Sequence, residues 1–323
     1  MQDSFDFKLM RHVQAQMMDC VPLAVRERLS DYIAGRVNLA VGKGPERLAS
    51  SADFEHDGVM PLGALLSSGQ VGDVVAHLRN FPVFDGHILG QSDRTPRELD
   101  ELMKTAHYGA HQRAAVLRAP HLLALANRPD IVALAAAKLG CWPTLYSVHA
   151  WWSFGGRADL ARYAQSFHRD LDDFRFCTLF VYLTNVDADG GPHQYIRTSH
   201  RLDGVREMLR RAAKHDPSID PEQAESFFIE GYGLDDVYEN LFGDAIMTIT
   251  GPSGHGFIAD TSGLHRGLRP VRGNRLIFWA RYGMLANAGI DEYGFEPVPM
   301  KELSSPLPDD AITRYINRCL VQP

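Results

Sequence analysis

Between residues 144 and 282 the chain is a succession of short apolar runs closed by turn residues. Residues 145–153, 176–184 (FCTLFVYLT), 245–250, 256–259 and 275–282 (RLIFWARY) are rich in aromatic and β-branched side chains, the types that suit a pleated, half-buried surface. Asp189-Gly190-Gly191-Pro192, Gly251-Pro252-Ser253-Gly254 and Arg272-Gly273-Asn274 separate them, and glycine and proline are the strongest local breaks a chain can carry. Many short strands with turns between them predict a β-sandwich or jelly roll.

The part before residue 144 reads as mainly helical. Residues 71–78 place apolar side chains at helical spacing, and Thr95-Pro96-Arg97-Glu98 reads as a helix start, with a Thr cap, Pro first and Glu third. The segment that follows, to about Leu117, is polar with a sparse apolar face. Pro129-Asp130 opens another helix through Leu139, with Gly140 as its stop. A charged, helical stretch at about 202–241 interrupts the β region, and Asp220-Pro221-Glu222-Gln223 is a second helix start within it. No internal repeat is visible. One structural unit is expected: a helical N-terminal layer (1–143) on one face of a sheet, a β core (144–284) and a tail (285–323).

With 323 residues the chain is long enough to bury a large core. Its net charge of -7 and scattered Lys and Arg argue against a nucleic-acid partner. Cys20, Cys141, Cys177 and Cys319 lie far apart with no C-x-x-C pair, which disfavours a zinc ribbon or disulfide scaffold and suits a reducing cytosol. The opening MQDSFDFKLM lacks the basic-then-apolar order of a signal peptide. The longest apolar runs, such as 131–137, are too short to span a bilayer. A cytoplasmic protein without a membrane partner is expected.

The chemistry is carried by Phe167-His168-Arg169-Asp170. In an extended segment residues two apart point the same way, so His168 and Asp170 can reach one metal ion. Chance supplies His-x-Asp readily; what singles this one out is the strong strand after it, the Gly-Gly-Pro turn, and a later His followed by an Arg on a strand. His265, in Asp260-Thr261-Ser262-Gly263-Leu264-His265, completes two histidines and a carboxylate, a set that leaves open positions on iron(II). Arg275 opens the strand 275–282. It either faces water or clamps a carboxylate in bidentate fashion. Alternation puts Arg275, Ile277, Trp279 and Arg281 on one face, where Arg281 serves a second anion or a rim salt bridge. His149 and Trp151 share a face on the preceding strand, as pocket lining or as core. His193 faces the site or the sheet edge, and Asp260 supports His265 or the nearby backbone.

Four blocks resemble the phytanoyl-CoA dioxygenase-like family of iron(II)/2-oxoglutarate oxygenases: FEHDGVMPLGALLS, RAPHLLALANRPDIVALAAAKLG, FHRDLDDFRFCTLFVYLTNVDADGGPHQYIRTSHR and GFIADTSGLHRGLRPVRGNRLIFWARY. Together they run from residue 54 to residue 282. The resemblance implies a double-stranded β-helix (a cupin-like jelly roll) with helices on one side. It implies His168, Asp170 and His265 as iron ligands and Arg275 on the 2-oxoglutarate C5 carboxylate, with O2 as co-substrate. It implies hydroxylation of a small molecule, with 2-oxoglutarate going to succinate and CO2. Related halogenases carry a small residue in place of Asp170, so its carboxylate favours oxidation without halogenation. Gln165, Thr178 and Tyr182 are near enough to the motif to help hold 2-oxoglutarate. Some relatives place a hydroxyl residue two positions after the distal His, where this chain has Gly267. Two other readings stand beside this one: a zinc or manganese isomerase or hydrolase on the same fold, which would not need Arg275, and a binding module without activity. The 202–241 insertion is a lid or a packing appendage.

Overall fold

A computed structural model describes residues 23–45, 51–85, 95–156, 163–170, 172–221, 235–285 and 297–322. Cys20, and all but the first two residues of the Asp220-Pro221-Glu222-Gln223 helix start, lie outside them.

The strands with the clearest apolar runs form the middle of one antiparallel sheet. β4 (Thr144–Phe154), β5 (Phe176–Tyr182), β8 (His255–Ala259) and β10 (Asn274–Gly283) sit there in the order β8-β5-β10-β4. Three further strands complete it: β1 (Val59–Ala64) beside β8, and β3 (Tyr108–His111) then β2 (Val83–Asp85) beyond β4. A second antiparallel sheet has β6 (His193–Ile196) between β7 (Ile246–Ile249) and β9 (His265–Gly267). Two antiparallel sheets, one large and one small, are consistent with a jelly-roll-like fold.

Period-two alternation sorts the side chains of the large sheet. Leu276, Phe278, Ala280 and Tyr282 of β10, with Cys177, Leu179 and Val181 of β5, join the main hydrophobic core. Phe180, Tyr182 and Ile277 point the other way, into a second cluster with Phe257, Tyr195 and Ile249. Arg275, Ile277, Trp279 and Arg281 therefore share the face toward the small sheet, as their spacing predicts. In register they stand beside Ser153, Trp151, His149 and Ser147 of β4.

Helices form where local signals agree with packing. In α3 (Ser68–Leu78) the Ser67 side chain accepts from the Gln70 amide, while Gln70 accepts from that of Ser67; Val71, Val74 and Leu78 are buried. α7 (Pro129–Leu139) has Pro at its first turn and ends at Gly140, whose φ of 77° suits a left-handed cap. It packs on β5. In chain order the others are α1 (Leu23–Val41), α2 (Ser51–Asp57), α4 (Leu99–Leu102), α5 (Arg113–Arg118), α6 (Leu122–Ala126), α8 (Leu202–His215), α9 (Asp235–Phe242) and α10 (Ala311–Asn317).

The N-terminal part departs from the mainly helical expectation because it supplies three strands of the large sheet. The helix expected from Pro96 starts only at Leu99 and lasts one turn. Arg97 is instead bridged to Val83, each amide bonding the other's carbonyl. Beyond it, Tyr108–His111 pairs with β4 and places Gly109 beneath Phe154; a Cβ at 109 would lie 2.9 Å from the Phe154 ring. Glycine there lets the strand close on its neighbour.

The described helices of the 202–241 insertion pack on the outside of the small sheet. Val205, Leu209, Tyr238 and Phe242 form a third cluster with Phe167, Ile196 and Leu264. Cys141, Cys177 and Cys319 are buried free thiols. No helix among the described residues is long and apolar enough to cross a membrane.

Candidate metal centre and anion clamp

His168 and His265 face each other across an isolated antiparallel bridge, each donating its backbone N–H to the other's carbonyl at 3.0 Å. Asp170 follows on the same strip and donates its N–H to the Thr261 carbonyl at 2.8 Å. Two backbone pairings thus bring together three side chains that are far apart in the chain. His168 Nδ1 lies 2.9 Å from the Ser166 carbonyl, and His265 Nδ1 lies 2.9 Å from that of Gly263. A carbonyl can only accept, so both Nδ1 atoms carry the hydrogen and both Nε2 atoms offer a lone pair. Those lone pairs converge on Asp170: His168 Nε2 is 3.9 Å from Oδ1, and His265 Nε2 is 3.8 Å from Oδ2. One nitrogen or oxygen from each residue lies within 4.8 Å of the others, so the trio can hold a metal ion. The donor set, two neutral imidazoles and a carboxylate, suits a divalent first-row metal.

Burial would push the Asp170 pKa up, but Arg281, His265, His168 and the Thr261 hydroxyl outweigh it and hold the carboxyl at about 2. Arg281 donates through Nη2 to Asp170 Oδ2 at 3.3 Å and through Nη1 to Asp172 Oδ2 at 2.5 Å. Tyr146 donates its hydroxyl to the same Asp172 oxygen at 2.8 Å. The structure therefore gives Arg281 to the carboxylate ligand and Asp172. Of the two uses open in the sequence, a second anion or a salt bridge, it shows the salt bridge. The Thr178 hydroxyl lies 3.3 Å from that of Thr261, which itself serves Asp170.

Arg275 is 6% exposed. Its Nη1 donates to the carbonyls of Gly191 and, at 3.1 Å, Leu268; its Nη2 donates to Ser153 Oγ at 3.0 Å. Nε is buried with no partner, and no carboxylate pairs with the guanidinium among the described residues. Burial lowers its pKa, opposed by the facing Tyr182 and Tyr108. A buried cation anchored only by neutral oxygens lacks a counter-charge, which is what the distal carboxylate of a bound anion would supply. Gly267 makes room for the guanidinium: a Cβ there would lie 2.8 Å from Arg275 Nη2.

Aromatic rings line the face between the clamp and the metal trio. His149 stacks on Trp279 with centroids 5.0 Å apart, and Trp151 lies 5.2 Å from Trp279 and 6.0 Å from Tyr108. Trp151 is the one residue of β4 that is not fully buried. Tyr182 gives its only hydroxyl hydrogen to the Ile249 carbonyl at 2.7 Å and accepts from the His193 amide at 3.0 Å, so it ties β5 to the small sheet and has no hydrogen left for an anion. Gln165 is buried in the turn just before the metal motif. Asp260 does not touch the His265 ring. It accepts from the Ser262 amide and hydroxyl and pairs with Lys138, fixing the loop that delivers His265. His200 donates to the Glu55 carbonyl at 3.0 Å, and Arg201 lies 3.4 Å from Asp203; both are structural.

His193 is 5% exposed, and its ring fits between the sheets. It stacks on His265 with centroids 5.5 Å apart and contacts Phe180 and Phe257, each at 4.9 Å. Burial, then His265, Arg275 and His168, hold its pKa well below that of a free imidazole. Sequence reasoning missed Asp172, Tyr146, Thr261 and Ser153. Asp172 carried a usable signal, since it continues the two-residue spacing of His168 and Asp170; the other three depend on strand register.

No protein-family model and no curated protein sequence matches the chain. Solved structures similar to it include SnoN, a non-haem alpha ketoglutarate dependent epimerase from nogalamycin biosynthesis (17% identity, 72% of this chain, 80% of that one, TM-score 0.44). HygX from Streptomyces hygroscopicus, with nickel and 2-oxoglutarate bound, has 15% identity over 81% of this chain and 95% of that one, TM-score 0.43. EvdO2 from Micromonospora carbonacea var. aurantiaca has 16% identity over 74% and 91%, TM-score 0.45. Similarity this remote fixes none of this chain's chemistry, which rests on the side chains above.

Proposed function

We propose that the chain is a non-haem iron(II) oxygenase dependent on 2-oxoglutarate, built on a double-stranded β-helix of the phytanoyl-CoA dioxygenase-like kind, and that it hydroxylates a small molecule. The observation that carries this reading is the pairing of a convergent His168–Asp170–His265 trio with a buried guanidinium, Arg275, that has no acidic partner among the described residues. An isomerase or hydrolase needs the trio and does not require the second feature. When bound, iron would bring O2, the oxidant, together with 2-oxoglutarate as two-electron co-reductant, one oxygen atom leaving in succinate alongside CO2 and the other passing to the substrate.

The chain's own residues bind, orient and exclude water. His168, Asp170 and His265 hold the metal, each imidazole fixed by its Nδ1 bond to a carbonyl. Arg281, held by Asp172, which Tyr146 also hydrogen-bonds, keeps Asp170 ionised and in place by a direct bond. Arg275 takes the distal carboxylate of the co-substrate. His149, Trp151, Trp279 and Phe180 give the site a dry aromatic wall against which a small-molecule substrate lies. Nothing in this site calls for nucleic acid or membrane, and we place the activity in the cytoplasm.

The test is anaerobic addition of iron(II) and 2-oxoglutarate to the purified protein, watching for the weak visible charge-transfer band. The band is expected in the wild type, absent in His168→Ala and weakened in Arg275→Leu, with succinate released once O2 is admitted. Bound iron without a band would sink the oxygenase reading in favour of another metal enzyme.

A further inference from the structure

His193 on the small sheet is a buried polar side chain that neither the metal nor the clamp uses. His193 stands opposite Gly267 in the β6–β9 register, while Tyr195 stands opposite His265. Gly267 is the residue against which the Arg275 guanidinium rests. His193 is thus placed between the distal metal ligand and the anion clamp. Its ring is stacked beside His265 and wedged against Phe180 and Phe257 of the large sheet. Its Nε2 is buried and has no hydrogen-bond partner among the described residues. A buried polar nitrogen without a partner is costly, and an apolar ring such as Phe would fill the same aromatic slot without that cost. The position holds an imidazole where hydrophobic packing alone would favour a hydrocarbon.

We infer that His193 is a positioning residue for the co-substrate: its Nε2–H donates to an oxygen of the 2-oxo dicarboxylate lying between the metal and Arg275. This rests on the function proposed above. Arg275 recognises only the far carboxylate; a donor on the small sheet would add selection for a ligand that also carries oxygen along its length. Imidazole can present an N–H at Nε2 without bringing a further charge beside Arg275.

The experiment titrates Mn2+ and then 2-oxoglutarate into wild type, His193→Phe, His193→Gln and Arg275→Leu, following each binding step by calorimetry. His193→Phe keeps the packing and removes the donor; His193→Gln returns an N–H. The expected result is a 2-oxoglutarate dissociation constant about tenfold or more higher in His193→Phe, partial recovery in His193→Gln, and Mn2+ affinity within twofold of wild type in both. Three outcomes overturn the inference. If Arg275→Leu loses 2-oxoglutarate but His193→Phe binds it as wild type does, His193 is packing alone and the proposed function stands. If His193→Phe loses Mn2+ together with 2-oxoglutarate, its role is to support His265. If wild type binds Mn2+ but not 2-oxoglutarate, the proposed function and this inference fail together.

Discussion

Asp170 is a carboxylate in surroundings that should neutralise it, and what prevents this is a relay of partners. Arg281 reaches two acids from two nitrogens, Asp170 at 3.3 Å and Asp172 at 2.5 Å. Lysine at 281 would keep the charge and lose the fork. Arg281→Lys is therefore expected to fold and to bind Mn2+ about tenfold more weakly, the usual scale for an outer partner of a metal ligand; an unchanged calorimetric affinity would show that Arg281 does not tune the ligand. Gly267 makes the same kind of point at the clamp. An added methyl would sit 2.8 Å from Arg275 Nη2. That guanidinium is buried and hydrogen-bonded to Gly191, Leu268 and Ser153, so making it shift in Gly267→Ala should cost about 1–3 kcal/mol of stability, read as a lowered melting temperature. Displaced from its partners, it should also hold 2-oxoglutarate about tenfold less tightly, a loss of roughly 1.4 kcal/mol. Equal affinity in a competition titration would mean the clamp does not depend on that seat.

Among the elements, α9 is tied to both ligand-bearing segments. Asp235 at its start accepts the Phe167 amide at 2.6 Å and lies 3.4 Å from Arg266. Phe167 and Arg266 are chain neighbours of the two histidine ligands, and the Arg266 guanidinium lies 4.1 Å over the Phe167 ring. The helix clasps both ligand-bearing segments from behind. Asp235→Ala is expected to cost about 1–3 kcal/mol in urea unfolding, with faster loss of bound Mn2+ to a chelator; unfolding and metal release both at wild-type rates would remove the clasp. The ligand trio was legible in the sequence because alternation links His168 to Asp170 and a strand leads to His265. β4, β5 and β10 were legible because their runs of apolar and aromatic residues are long. β3 was not: Tyr-Gly-Ala-His has no pattern of its own, and its place depends on Gly109 passing under Phe154. The use of Arg281 was undecided for a related reason, since its partners are chosen by tertiary pairing.

For the whole molecule, buried histidines set the response to acid. His111 accepts from Trp152 Nε1 at 3.2 Å, and burial, then His77, hold its pKa at about 4. His200 is held at about 4, chiefly by burial. Well above pH 6.5, by about a unit or more, these rings are neutral in both folded and unfolded chains and contribute almost nothing to the pH dependence. As pH falls from 6.5 toward 4, the unfolded chain takes up protons that the folded one refuses, so stability falls, by roughly 1–2 kcal/mol per ring at pH 5. His193 and His265, also shifted down, act in the same direction when no metal is bound. Asp173 opposes them. Burial raises its pKa to about 6 despite the amides of Leu285, Phe174 and Met284, so between about 6 and 3.8 the folded state holds the extra proton and gains stability as pH drops. Four histidines against one aspartate make the net sign negative. The melting temperature of the metal-free protein, followed by circular dichroism, is expected to fall between pH 7 and pH 5. In His111→Gln, which keeps an acceptor for Trp152, the fall should be shallower although the protein starts less stable. A slope identical to wild type would mean that His111 already takes up its proton in the folded state, and the neutral, buried acceptor described for it would be wrong.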